Sequence, residues 1–125
     1  MITPHSMTWY EGNNVNNVMV YTRHEVPEVM WQASKAANVI KSGLQEADRA
    51  NIWVPYKLHD GTDRGDTLNF KVGDYLVKGI VYDEINATFT IAKLLKKYPS
   101  AVKITSVDDK DYSLSGENYI RLGGG

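Results

Sequence analysis

The sequence predicts a mainly β protein: a small antiparallel β-barrel or sandwich with one short α-helix at about residues 88–98. Three observations carry that expectation. Short apolar runs rich in Val, Ile, Tyr and Trp recur along the chain. Gly, Asn, Asp and Pro separate them at turn-like intervals. Only one segment, Thr88–Tyr98, has helical periodicity. The 125 residues suit one domain. A chain near this size buries roughly two-thirds of its unfolded surface, enough for one real core. Residues 1–125 are therefore read as a single β-barrel domain. Its N-terminus (1–6) is expected to be loose and its C-terminal tail (about 113–125) flexible.

The elements follow in order. Glu11–Asn17 (EGNNVNN) reads as a turn, because Gly and Asn tolerate positive φ. Val18–Arg23 is a strand, and Pro27 marks an edge or a break. Val29, Trp31 and Ala33 alternate with Met30, Gln32 and Ser34, giving a second strand with one inward face. Residues 34–40 are ambiguous: Ser-Lys-Ala-Ala could begin a helix, but the segment reads better as a short strand ending at Ser42-Gly43, with residues 45–49 a loop. Asn51–Pro55 is a strand that the proline ends. Lys57–Thr67 (KLHDGTDRGDT) is a long polar loop. Loops of this length without secondary structure tend to be functional or disordered. Asn69–Lys71 is a short strand, Val72-Gly73-Asp74 a turn, and Tyr75–Tyr82 a strand.

In the helix, Ile91, Leu94, Leu95 and Tyr98 share one face. Thr88 or Thr90 supplies the N-cap, and Pro99 stops the helix. Ala101–Val107 is a strand with Val102, Ile104 and Ser106 on one face; Asp108–Asp111 is a turn; Tyr119–Leu122 is a last strand.

Composition narrows the function. The chain has no cysteine, which removes disulfide frameworks, zinc ribbons and thiolate catalysis. Net charge is −1, so no global basic field draws in nucleic acid. The opening residues MITPHSMTWY do not read as a signal peptide, and no apolar run approaches the roughly 20 residues of a membrane span. A soluble, intracellular chain without membrane contact is expected. Eight Tyr and three Trp against two Phe suit surfaces that are half buried and half wet, although thin sheets favour the same residues.

Chemistry-bearing motifs are scarce. His5, His24 and His59 have no ligand spacing between them. Asp60–Asp66 places a glycine where a calcium loop has one, but Arg64 and Lys71 stand where ligands are required. Asn86-Ala87-Thr88 is a sequon by pattern, better explained by helix capping. There is no nucleophile elbow, P-loop or dinucleotide fingerprint. Asp83 and Glu84, adjacent after a strand, point to opposite faces and make no acid–base dyad. No enzyme activity, cofactor or metal is expected.

Residues Trp31, Lys35, Asn38, Ser42-Gly43-Leu44, Ala47-Asp48, Gly73-Asp74, Val77-Lys78-Gly79, Asp108, Asp111 and Gly123-Gly124 stand in an ordered pattern. That pattern resembles small head–tail connector or head-closure (stopper) proteins of tailed phages and prophages of Gram-positive bacteria. The resemblance covers residues ~17–125. It departs at Val72, where the family usually has Pro, and at Glu117–Ile120, where it has an aromatic-rich segment. It implies a small β-barrel that assembles as a six- or twelve-fold cyclic homo-oligomer in the virion neck, after assembly in the host cytoplasm. Its partners would be the portal or adaptor protein, a tail-completion or tail-tube protein, and packaged double-stranded DNA, retained without sequence specificity. Tail-completion and minor capsid proteins of the same region are neighbouring alternatives.

On that expectation His59, Asp60, Gly61, Asp63, Arg64, Gly65 and Asp66 form a channel-lining or gating loop. Tyr119, Ile120, Arg121, Leu122, Gly123 and Gly124 form a tail against a neighbouring copy, unless that tail is simply disordered. Trp31, Ser42, Gly43, Leu44, Gly73, Asp74 and Gly79 are structural. From a different class, an OB-like nucleic-acid module would stack bases on Trp53, Tyr75 and Tyr82.

Overall fold

The computed structural model describes residues 3–33, 50–112 and 117–125. It is mainly β, as the patterning predicts. Six strands form a closed antiparallel barrel: β1 (His5–Val15), β2 (Val18–Ala33), β3 (Ala50–Pro55), β4 (Tyr75–Lys78), β5 (Val102–Tyr112) and β6 (Glu117–Gly124). Their order around the wall is β1-β2-β3-β6-β5-β4. The helix is α1 (Ile91–Lys97), shorter than expected.

Alternation builds the interior. Met7 and Trp9 of β1, Ile52 and Val54 of β3, Leu76 of β4, Val102 and Ile104 of β5, and Ile120 and Leu122 of β6 are buried in one cluster. They sit two apart along each strand, as the pleat requires. Two bulges keep that face inward. In β2, Met7 pairs with Val26 but His5 pairs with Val29, so the strand gains one residue at Pro27-Glu28. The extra residue reverses the parity, and Val26, Val29 and Trp31 all face the core. Glu28 adopts a φ of 54° there. Pro27 therefore bends one continuous strand rather than dividing two. In β5 the register shifts between Ile104 and Ser106. Ser106, expected inside, is exposed, and Val107 packs on the core instead.

The first turn is tighter than the sequence suggests. Glu11–Val15 is strand, and only Asn16 and Asn17 turn, with φ of 53° and 65°. Two consecutive positive φ values mark the hairpin turn that Asn accommodates. The expected strand 69–71 is irregular, although Phe70 is buried against Trp9, 4.4 Å between ring centroids. The strand expected over Tyr75–Tyr82 ends at Lys78, because Gly79 takes a φ of 86°. Asp108–Asp111 is part of β5, not a turn.

A second apolar cluster lies outside the barrel. Tyr10, Val77, Leu94 and Ala101 are buried there, with Tyr21, Tyr75, Phe89 and Tyr98 packed against them. Helix α1 thus covers the outward faces of β1, β2 and β4. Thr90 caps it, accepting from the Lys93 N–H. Asn86 Oδ1 accepts from the backbone N–H of Thr88 and Phe89, so the sequon serves as a turn before the helix. Of the predicted helical face, Leu94 is fully buried, but Leu95 is 41% exposed.

Candidate functional site

The long polar loop folds onto itself and onto the barrel. Leu58 N donates to Thr62 O (2.8 Å), Gly61 N to Leu58 O (2.9 Å) and Arg64 N to Tyr56 O (2.7 Å). Gly61 makes this hairpin-like return possible with a φ of 90°. Asp60 accepts from Thr62 N (2.9 Å) and Asp63 from Gly65 N (2.8 Å). The Thr62 N–H holds the Asp60 carboxyl below its ordinary range. Gly65 and Asp66 fall in a short 3-10 turn, Gly65–Thr67.

Arg64 anchors the loop. Its Nε donates to Pro55 O (3.0 Å), and its two terminal nitrogens donate to Pro27 O and to Glu28 O. The β2 bulge turns those two carbonyls out of the ladder, and the guanidinium fork satisfies both. Burial lowers the Arg64 pKa from its ordinary value. At the tip, His59 Nδ1 and backbone N–H both meet the Glu28 carboxylate, at 2.7 Å each. That bond raises the His59 pKa and lowers that of Glu28. Beside this clamp an open cleft of about 240 Å³ lies between Trp9, His24, Val26, Pro27, Arg64 and Leu68. His59, Asp60, Gly61, Asp63, Arg64 and Gly65 are therefore brought together, as one stapled loop at the barrel corner. Arg64 holds backbone carbonyls, a clamp rather than an anion site.

The C-terminal residues lie elsewhere. Tyr119–Gly124, expected as a flexible tail against a neighbour, form most of β6, paired to β3 on one side and β5 on the other. Ile120, Leu122, Gly123 and Gly124 are buried. Both edges of the strand are taken within the chain, so it is wall, not tail. Gly125 continues the pairing, exchanging two 3.0 Å bonds with Lys103. On the outer face Arg121 donates to Asn51 (3.0 Å) and lies over the Trp53 ring. The loose N-terminus likewise begins β1 at His5.

The remaining motif residues have structural roles. Trp31 is a core residue of β2. Gly73, with a φ of 101°, makes the turn before β4. Asp74 is 2% exposed, and its carboxylate accepts from Trp9 Nε1 (3.0 Å), Gly12 N (3.0 Å) and Lys71 N (3.3 Å). Those three bonds compensate the burial of a carboxylate. Gly79 accepts from the buried Thr8 hydroxyl (2.9 Å), which in turn accepts from Val81 N. Ser42, Gly43 and Leu44, with the strand expected over 34–40 and the loop over 45–49, lie outside the described residues.

No shared stacking platform is formed by Trp53, Tyr75 and Tyr82. Trp53 is on β3, opposite β4 in the strand order, while Tyr75 packs edge-on to Tyr21 in the outer cluster. Asp83 accepts from Tyr98 and from Lys97 (2.9 Å), tying α1 to the segment after β4. Tyr10 donates to Asp83 O (2.6 Å), and burial pushes its hydroxyl up to about 12. Among the described residues no group of three or more His, Asp or Glu converges as metal ligands.

Sequence reasoning missed the β1–β2 hairpin as a surface. Strand β4 pairs with β1 only over Met7–Tyr10, and β3 meets β2 only from Met30. The hairpin beyond them projects from the barrel with Val15, Val18, Met19 and Val20 exposed. The available signal was the uncharged run from Gly12 to Thr22.

The profile of a family of unknown function (DUF6751) matches residues 2–125. No curated protein and no solved structure matches the chain.

Proposed function

The chain belongs to the family of unknown function DUF6751, and from that premise we propose that it is a structural protein of the phage neck, a head-completion or stopper ring. The observation that carries the reading is the small closed barrel itself. A barrel of that kind is what the resemblance of Trp31, Gly73-Asp74, Val77-Lys78-Gly79 and Gly123-Gly124 to head-closure proteins implies. Copies would form a six- or twelve-fold ring between the portal or adaptor below the capsid and the tail-completion or tail-tube protein. Packaged double-stranded DNA would pass through the ring or be retained by it. The exposed carboxylates Asp60 and Asp63 on the stapled loop suit a channel wall. They repel phosphate, so DNA slides rather than sticks. With Arg64 and His59 holding that loop to the barrel corner, it fits a fixed rim better than a moving gate.

Deletion of the gene from the phage or prophage that carries it tests the reading. Electron microscopy of the lysate is expected to show tailless heads that lose their DNA, alongside free tails. Intact tailed virions from the deletion strain overturn it. Salt-dependent single-strand DNA binding by the purified chain would favour the nucleic-acid module instead.

A further inference from the structure

We propose that the β1–β2 hairpin joins copies of this chain: the Asn13–Val15 edge of one copy pairs with the Val18–Tyr21 edge of the next, so that a ring of copies closes into an intermolecular antiparallel β-barrel. The inference rests on the ring reading above and names the contact that would build the ring.

Among the described residues both edges of the hairpin are open. Asp74 takes the Gly12 N–H and ends the pairing of β1 towards β4. Beyond it, no described strand flanks Asn13–Val15 or Val18–Tyr21. Open edges invite strand addition, and sheets usually guard them with charge, proline or a bulge. The hairpin itself carries none of these beyond Glu11, and Lys71 reaches its base, donating to Asn13 Oδ1 (3.2 Å). It pairs one-for-one from Glu11↔Thr22 to Val15↔Val18, and no charged residue or proline lies between Glu11 and Arg23. The opposite hairpin differs. Strand β5 has a bulge after Ile104 and the sequence Asp108-Asp109-Lys110-Asp111.

The exposed side chains agree. Val15, Val18 and Val20 are 50%, 61% and 45% exposed and lie on one face, since Val15 pairs with Val18 and Val20 is two residues on. A bare two-stranded ribbon is marginal in water, so an apolar ribbon calls for cover. A second copy supplies it by symmetry. Hairpins around a cyclic axis all point the same way, which sets β1 of one copy antiparallel to β2 of the next. That is the sense in which the two strands already pair within the chain. The contact is heterologous and closes, leaving no free edge, and neutral arms do not repel one another. Neighbouring valines then meet side by side.

The test uses the full chain. Val18→Lys with Val20→Lys places charge on an exposed face, so the double variant is expected to melt with the wild type yet stay monomeric by native mass spectrometry. Rings that persist in the variant overturn the inference and leave the ring reading standing. The chain has no cysteine, so single Asn14→Cys and Met19→Cys variants can be mixed and oxidised. Mixed dimers should exceed either homodimer; homodimers alone, or no cross-link within a ring, overturn the proposal. If the wild type is monomeric in solution, the same cross-link is read in purified virions. A virion without this chain overturns the neck reading itself. Wild-type sedimentation with phosphatidylcholine vesicles, lost in the lysine variant, assigns the hairpin to a membrane and overturns the proposal.

Discussion

Gly124 sets how closely β6 can lie beside the start of β5. A Cβ there would stand 2.5 Å from Val102 Cγ2 and 2.9 Å from Val102 Cβ. Val102 is a buried, branched core residue with little room to move. Gly124→Ala should therefore destabilise the barrel by about 1–3 kcal/mol, the usual cost of overpacking. Gly125→Ala, whose Cβ would meet only Thr105 at 3.6 Å, should be near neutral. Urea unfolding of the two variants makes the comparison, and equal midpoints would refute it. The sequence showed a glycine run but not that one member lies under a valine. The His59–Glu28 contact gives a pH signature. The His59 pKa lies above its ordinary 6.5, so its contribution is full below that value and fades as pH rises through the raised one. The Glu28 pKa lies below 4.5, so its contribution is present above 4.5 and fades as pH falls. The staple is strongest between those limits. An NMR titration of His59 should show the raised value, and Glu28→Gln should return it toward 6.5. No change in the variant would refute the pairing.

Elements show what patterning can and cannot read. In α1 the sequence put Ile91, Leu94, Leu95 and Tyr98 on one face, and it could not say where the covered stripe ends. Leu94 is buried in the outer cluster, while Leu95 is exposed and not part of it. Leu94→Ala should cost about 2–5 kcal/mol and Leu95→Ala well under 1. Chemical denaturation of both settles the split, and similar losses would contradict the placement. The β2 bulge was legible in part. Pro27 announced an irregularity, but whether it divides or bends a strand depends on partners far along the chain. Arg64 decides it, by taking the Pro27 and Glu28 carbonyls from 37 and 36 residues away. The same contact explains why a loop that reads as free and functional is fixed. Asp60 and Asp63 bond within the loop, and His59 and Arg64 bond to the bulge.

For the whole molecule, closure is the decisive event. β6 is last in sequence but lies inside the cyclic order, bridging β3 and β5. Removing residues 117–125 should open the barrel and expose Ile52, Val54 and Ile104 together. Loss of the β signal and of cooperative melting in circular dichroism is the expected result. A truncated chain that melts like the full one would show that β6 does not close the barrel. The sequence by itself determined the class, a barrel-sized set of short strands with one helix, because alternation and turn residues are local properties. Alternation also put Trp31 on an inward strand face, and local turn chemistry marked Gly73-Asp74 as a turn. Tertiary structure decided the rest. It made the apparent tail a central strand, stapled the polar loop to the β2 bulge through Arg64 and His59, and left the β1–β2 hairpin open among the described residues. The physical reason is that strand pairing and bulge register are long-range. A segment's alternation shows that it has two faces, but only its partners show which edges remain free.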